Sequence, residues 1–237
     1  MMRLIVDTNI GSITTEEYYP VILNTNDKSA KKQVECRYYK TKAQLNTSAV
    51  IFIGGVGGGW DSPSRQLYPR LSHKLVNNNN DDNGISSLRV KFRYSTDLDK
   101  SIADVIAGIE FLVCHEKISS IGLVGHSFGG AVVISSAANV IEDHSYNKVI
   151  KTVVTLATQS YGTEGVSKLK EGQCSILLIH GNNDNVLSSY CSSYIYKKAK
   201  EPKHLVLFDT ASHGLDEVSE QVFVTVYQWI LKNLNRK

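Results

Sequence analysis

Ile121-Gly122-Leu123-Val124-Gly125-His126-Ser127-Phe128-Gly129-Gly130 runs directly into Ala131-Val132-Val133-Ile134-Ser135-Ser136-Ala137-Ala138. The short apolar run at the front reads as a buried strand, and the small and apolar residues at the back read as a helix. Between them lies G-x-S-x-G over Gly125 to Gly129. A strand that turns sharply into a helix around this motif holds its serine in a strained backbone conformation, with the hydroxyl projecting beyond the strand. Glycines flank the serine because side chains there would strike neighbouring backbone. The helix begins just after Ser127, so its free N–H groups face any negative charge that develops beside the hydroxyl. Ser127 is therefore the expected nucleophile. The plain alternative is a glycine-rich turn with serine as filler, and the elements on both sides argue against it.

A chain of 237 residues is long enough for one α/β domain with a full core. The hydrophobic share of 42% and charged share of 21% are ordinary for a soluble globule. A net charge of +3, scattered along the chain, does not argue for nucleic acid or an anionic membrane surface as partner. No apolar run is long enough to span a bilayer, and the opening Met1-Met2-Arg3-Leu4-Ile5-Val6-Asp7 lacks the apolar core of a secretory signal. Cys36, Cys114, Cys174 and Cys191 lie far apart with no C-x-x-C pair, which suits reduced thiols in a cytoplasmic protein better than a zinc site or a disulfide framework.

Working outward, Tyr18 to Leu23 and Gln33 to Tyr39 are rich in β-branched and aromatic residues, and a polar turn over 24–28 separates them. They read as an antiparallel hairpin at one edge of a sheet. Ala49 to Ile53 is continuously apolar and reads as a buried parallel strand. It runs into Gly54-Gly55-Val56-Gly57-Gly58-Gly59-Trp60. A dinucleotide loop would need G-x-G-x-x-G, but from Gly55 the last position falls on Trp60 and from Gly57 on Ser62; the lysine of a P-loop is also missing. A loop whose backbone N–H groups point at the nucleophile fits better. Ser62-Pro63-Ser64 reads as a helix start, with Leu67, Leu71 and Leu75 on one apolar face. The helix gives way to the polar Asn-rich stretch 77–84, expected to be solvated.

Ser87 to Tyr94 alternates apolar and polar residues and reads as a strand. A helix follows from Asp97, its buried stripe made of Ile102, Val105, Ile106, Ile109, Leu112 and Val113. After the Ser127 unit come a strand over Val149–Leu156, a weak helical pattern from Val166 to Leu169, and a strand over Ser175–Ile179. Then come a helix over about 189–200, a strand over Lys203–Phe208, and an amphipathic helix over about 218–234. Val222, Val226, Trp229, Ile230 and Leu234 face inward on this last helix. Alternating strands and helices predict a mostly parallel sheet covered on both faces, in a single domain over 1–237 with no room for a large cap.

From Ala49 onward the chain resembles the α/β-hydrolase superfamily, and within it the small dienelactone-hydrolase-like and carboxylesterase-like members. The resemblance implies a serine hydrolase with a triad in the order Ser127, Asp184, His213, and with Val56 and Phe128 as the oxyanion amides. Many relatives carry His-Gly where this chain has Gly54-Gly55, which bears on the choice of oxyanion residue. Dienelactone hydrolases use a cysteine nucleophile, so lactone specificity does not carry over to a chain with Ser127. A general serine esterase acting on short or medium acyl chains is the expectation, without metal or cofactor. A thioesterase, an amidase or a non-hydrolytic binder on the same fold are its rivals.

Several residues compete for these roles. His73, His115 and His144 fall in or beside helices and are expected to face solvent. His204 starts a strand, at the wrong end of the sheet. His126 is read as packing beside the nucleophile, and His180 as a structural residue before the acid loop. Asp209 is the runner-up to Asp184 because it ends the next strand. Trp60 and Tyr161 line the substrate pocket or simply pack. A small-molecule ester is the expected partner.

Overall fold

The computed structural model describes residues 5–6, 11–13, 16–25, 28, 30–43, 46–77, 84–143, 146 and 148–234. Side chains are described from Tyr18 onward. The first residues of the chain, most of the Asn-rich stretch and His144 lie outside these ranges.

Two short strands, β1 (Ile5–Val6) and β2 (Gly11–Ile13), precede the hairpin of β3 (Glu16–Asn24) and β4 (Gln33–Tyr39). Then β5 (Ser48–Ile53), α1 (Pro63–Val76), β6 (Ile85–Lys91) and α2 (Leu98–Glu110) follow. A π turn over Phe111–His115 leads to β7 (Ser120–His126) and α3 (Phe128–Asp143). Next are β8 (Ile150–Leu156), a 3-10 turn over Glu164–Lys170, β9 (Ser175–Gly181) and α4 (Tyr190–Lys198). The chain closes with β10 (Lys203–Phe208), a 3-10 turn over Asp216–Val218 and α5 (Ser219–Leu234).

The sheet runs β1-β3-β4-β6-β5-β7-β8-β9-β10, with β2 paired to β3. Pairings from β1 to β6 by way of β3 and β4 are antiparallel; those from β6 through β10 are parallel. Chain order reverses at β5. From β5 the chain passes through α1 to β6 on one side; from β6 it crosses back through α2 to β7 on the other. In open α/β sheets the crevice for ligands lies outside the carboxyl ends of strands at such a reversal. Here those ends are Ile53, leading into the glycine loop, and His126, leading into Ser127.

Two apolar layers hold the helices to the sheet. Val50, Phe52 and Val124 point to the face covered by α1 and α5, where Leu67, Leu71 and Val226 meet them. Ile51, Leu123 and Val153 point to the opposite face, toward α2 and α3. This is the period of two of a strand buried on both sides. Its consequence is clearest in β6. Ser87 and Arg89, which alternation would place in solvent, are buried, as is Ser86 on the opposite face. The Ser86 hydroxyl accepts from the Thr41 N–H at 3.0 Å, and the Arg89 guanidinium donates to the Trp60 carbonyl at 2.7 Å.

The helix expected to begin at Pro63 does not do so. Ser64, Arg65 and Gln66 have φ of 54°, 50° and 62°, a left-handed turn, and regular helix starts only at Leu67. Instead of capping the second or third N–H, the Ser62 hydroxyl accepts from the Tyr68 N–H at 2.9 Å. Left-handed backbone at non-glycine residues is strained, and it persists where surroundings over-determine it. Here Ser64 N–H donates to Gly214 O at 2.7 Å and Arg65 N–H donates to Asp216 Oδ1 at 2.8 Å. The strained turn thereby anchors the loop that carries His213.

Arg93 and Asp104 form an ion pair with no exposed side-chain surface on either partner. The Arg93 N–H also donates to Asp104 at 2.8 Å, and the guanidinium donates to Thr25 Oγ1 at 2.6 Å, tying the hairpin to α2. Removing one partner of a buried pair strands the other charge. Asp104→Ala is expected to destabilise the fold by about 3–5 kcal/mol, read from the urea unfolding midpoint.

Candidate active site

Ser127 sits between β7 and α3 with φ of 55°, the left-handed region that side chains avoid. Its N–H donates to Leu156 O at 2.9 Å, and its own carbonyl accepts from the Gly130 N–H at 3.0 Å. A Cβ on Gly125 would lie 2.2 Å from Gly129 O, and a Cβ on Gly129 would lie 2.2 Å from Gly54 O. Both contacts are with backbone, so neither position accepts a larger residue without moving the turn. As the motif predicts, α3 starts at Phe128, immediately after the serine. The Phe128 N–H therefore belongs to the first turn, whose N–H groups lack partners within the helix.

His213 arrives on the loop after β10 and Asp184 on the loop after β9. The imidazole Nε2 of His213 lies 3.1 Å from Ser127 Oγ, and its Nδ1 lies 2.7 Å from Asp184 Oδ2. An ionised carboxylate only accepts, so Nδ1 carries the proton, and Nε2 presents its lone pair to the serine hydroxyl. Asp184 has no exposed side-chain surface. Burial pushes its carboxyl pKa up. Hydrogen bonds from the Leu187 N–H, His213 and the Val186 N–H outweigh this and hold it below the ordinary carboxylate value. The two backbone donors reach Oδ1 at 2.8 Å each. Asp209, the alternative acid, instead accepts from the Asn182 amide at 2.8 Å.

Two further histidines belong to this cluster. His126 stands beside His213 with ring centroids 4.8 Å apart, and its Nε2 lies 3.0 Å from the His213 carbonyl oxygen. A carbonyl only accepts, so Nε2 carries hydrogen, leaving Nδ1 a lone pair buried without a partner among the described residues. His180, fully buried at the end of β9, places Nε2 3.1 Å from Asp184 Oδ2 and 3.0 Å from Leu187 O. Its place next to the acid is not readable from sequence. Only the tertiary turn after Gly181 brings its ring back over a residue four positions on. His73 and His115 are exposed, and His204 stacks on Trp229 at 6.2 Å.

Burial lowers the pKa of both His126 and His180 below the ordinary histidine value. The unfolded chain therefore takes up protons below about pH 6.5 that the native protein refuses. Their contribution to stability is complete above that pH and is lost as pH falls toward the depressed native values. Asp184 adds a loss in the same direction at lower pH, as its own depressed native pKa is crossed. Urea midpoints measured from pH 7.5 to 5 are expected to fall, with a slope of at most about 1.4 kcal/mol per pH unit for each unmatched proton.

The glycine loop after β5 passes over the serine. A Cβ on Gly55 would lie 3.3 Å from the Ser127 Cβ, so backbone approaches the nucleophile as closely as the side chains allow. Gly58 N–H closes the turn onto Gly55 O at 3.2 Å, and the Ser95 hydroxyl donates to Val56 O at 2.8 Å. Asp61 folds back beneath the loop, where its Oδ2 accepts from the Gly55 N–H at 3.4 Å. The two aromatic candidates separate. Trp60 has one face covered by the Arg37 guanidinium, 4.2 Å from the ring centroid. Tyr161, on the loop after β8, is 74% exposed.

The doubly covered sheet, the turn carrying Ser127 and the loops that converge on it make this an α/β-hydrolase fold. Solved structures with this fold span nearly the whole chain. A dienelactone hydrolase from Anabaena variabilis superposes with a TM-score of 0.73 at 17% identity, over 93% of this chain and 100% of that one. Est1E from Butyrivibrio proteoclasticus gives 0.72 at 15% identity over 92% and 99%. An esterase of Pyrococcus furiosus gives 0.67 at 19% identity over 97% and 98%. At such identities the likeness is one of fold. No curated protein matches the chain in sequence. The family model for class 3 lipases matches residues 66–189, just over half of the 237. The chain belongs to the class 3 lipase family and is a hydrolase of the carboxylic ester class. The match includes Ser127 and Asp184 and ends before His213.

Proposed function

We propose that this chain, acting as one domain over 1–237, is a serine esterase that cleaves esters of short or medium acyl chains through Ser127, His213 and Asp184. The observation that carries the proposal is the unbroken line of contacts from Ser127 Oγ to His213 Nε2 at 3.1 Å and from His213 Nδ1 to Asp184 at 2.7 Å. A serine hydroxyl barely ionises near neutral pH, so it needs a base at this distance. His213 takes the proton as Oγ attacks the ester carbonyl carbon, and the carbonyl π electrons move onto oxygen. The N–H groups of Val56 and Phe128 receive that oxyanion, each contributing about 3 kcal/mol to lowering the barrier. Electrons return to re-form the carbonyl, the bond to the alkoxy oxygen breaks, and His213 passes its proton to the departing alcohol. Water then attacks the acyl-enzyme by the same route, releasing the acid and restoring Ser127. Asp184, ionised and fixed by two backbone donors, keeps His213 in the tautomer that this sequence of proton transfers requires.

Tyr161 and Val56 are both exposed, the latter 52%, and so are free to offer apolar surface to the acyl or alcohol group. No described helix is long and apolar enough to cross a membrane. The test is labelling with a fluorophosphonate followed by peptide mapping, alongside a panel of p-nitrophenyl esters of rising acyl length. The label is expected on Ser127 alone, with hydrolysis fading as the chain lengthens; a label on another residue rejects the proposal.

A further inference from the structure

Asp184 Oδ2 is shared by two imidazoles. His213 donates to it from Nδ1 at 2.7 Å, and His180 Nε2 lies 3.1 Å from the same oxygen. The proton positions on His180 follow from its neighbours. Leu187 O, 3.0 Å from Nε2, can only accept, as can the carboxylate, so Nε2 carries the hydrogen and shares it between them. Nδ1 is then a lone pair, and the Ser192 hydroxyl, 2.7 Å away and itself fully buried, donates to it. A chain of hydrogen bonds thus runs from Ser192 on α4 through His180 on β9 to Asp184, and meets His213 there. Neither Ser192 nor His180 touches the reacting atoms.

We propose that His180, with its tautomer fixed by Ser192, is a positioning residue that limits how strongly Asp184 draws on His213, and so sets the pH range over which His213 serves as base. The inference rests on Asp184 and His213 being the acid and base of the site. An N–H donor on a carboxylate oxygen withdraws charge from it. The oxygen concerned is the one that holds His213, so the imidazolium of His213 is stabilised less than it would be by an unshared carboxylate. His180 also blocks Asp184 from turning about its own Cβ–Cγ bond, because both oxygens are then engaged.

Other charged groups around His213 stay in place when His180 is changed. Ser127 and His126 face it from the β7 side. Asp61 lies across the glycine loop, where it acts on His126. On its own loop, Asp216 lies near Gly214, and Glu217, close to Arg65, accepts from the Ser212 N–H at 3.1 Å. A shift in His213 on changing His180 or Ser192 therefore reports the path through Asp184.

The test is an NMR titration of His213 in imidazole-labelled protein, its signal assigned by loss in His213→Asn, and it needs no substrate. His180→Ala is expected to raise the His213 midpoint by about half a pH unit or more, because Asp184 Oδ2 then serves His213 alone. Ser192→Ala is expected to move it in the same direction by less. His180→Gln, whose amide nitrogen reaches about the position of Nε2, is expected to restore the wild-type value. In ester hydrolysis the acid limb of the pH profile follows these midpoints, with kcat on that limb about threefold lower in His180→Ala and KM little changed. If His180→Ala does not fold, Ser192→Ala carries the test alone. A His213 midpoint unmoved in the folded variants overturns the inference. Absence of hydrolysis in the wild type rejects the esterase proposal, whereas the titration still decides whether His180 acts on His213.

Discussion

Ser127→Ala is expected to lower kcat for a p-nitrophenyl ester by roughly 10⁵- to 10⁶-fold and to abolish fluorophosphonate labelling, with the fold retained. The size of the effect follows from what is removed. Without Oγ there is no atom to form the acyl bond, and His213 Nε2, which lies 3.1 Å from Oγ in the native protein, has no proton to take. The residual rate is that of water attacking a carbonyl held by the oxyanion amides alone. Stability is expected to change by less than about 1 kcal/mol, because alanine meets the same left-handed backbone at φ of 55° that serine already tolerates. The urea midpoint measured on the same preparation separates loss of chemistry from loss of fold.

Asp184→Asn is expected to cost about 10⁴-fold in kcat, while Asp209→Asn leaves kcat/KM unchanged. Backbone N–H groups of Val186 and Leu187 fix an acceptor at the Oδ1 position. An asparagine must place its own oxygen there, so its NH₂ group falls at the Oδ2 position, facing His213 Nδ1. His213 then turns the opposite tautomer, with a hydrogen on Nε2 aimed at Ser127, and the base is lost. Asp209 makes no such contact; its carboxylate accepts from Asn182 on the neighbouring loop. Equal losses in the two variants would reject Asp184 as the acid.

The strength of the sequence signal varies with how local its cause is. The Ser127 unit is legible because strand, turn and helix are contiguous, and the glycines beside the serine meet backbone within a few residues or one strand away. The parallel strands are legible because both faces are buried, which leaves continuous apolar runs such as Ala49 to Ile53. The same double burial hides Arg89 and Ser87: their polar side chains mimic a solvent face, yet α1 packs on β6 and Arg89 is held by the Trp60 carbonyl. The opening of α1 departs from its sequence pattern for a related reason. Ser62-Pro63 has the composition of a helix start, but hydrogen bonds from Ser64 and Arg65 to the loop at 214–216 force a left-handed turn first. Asp216 is 151 positions from Arg65, out of reach of any local pattern. Trp60 is a similar case. A ring next to a glycine loop suggests a pocket wall, and the pairing of β4 with β6 brings Arg37 onto one of its faces.

By itself, the order of residues determined the alternation of strands and helices and the identity of the strained serine. These follow from short-range sterics and from the period of apolar side chains, which act within a few residues. The resemblance to α/β-hydrolases pointed to Asp184 ahead of Asp209 and to His213; tertiary structure brings those two within 2.7 Å, leaves Asp209 on Asn182, and alone decided that His180 and Ser192 stand behind Asp184. The reason is physical: a hydrogen bond is a matter of a few tenths of an ångström in three dimensions. Where β9, α4 and the loop after β10 converge is set by the packing of the whole sheet.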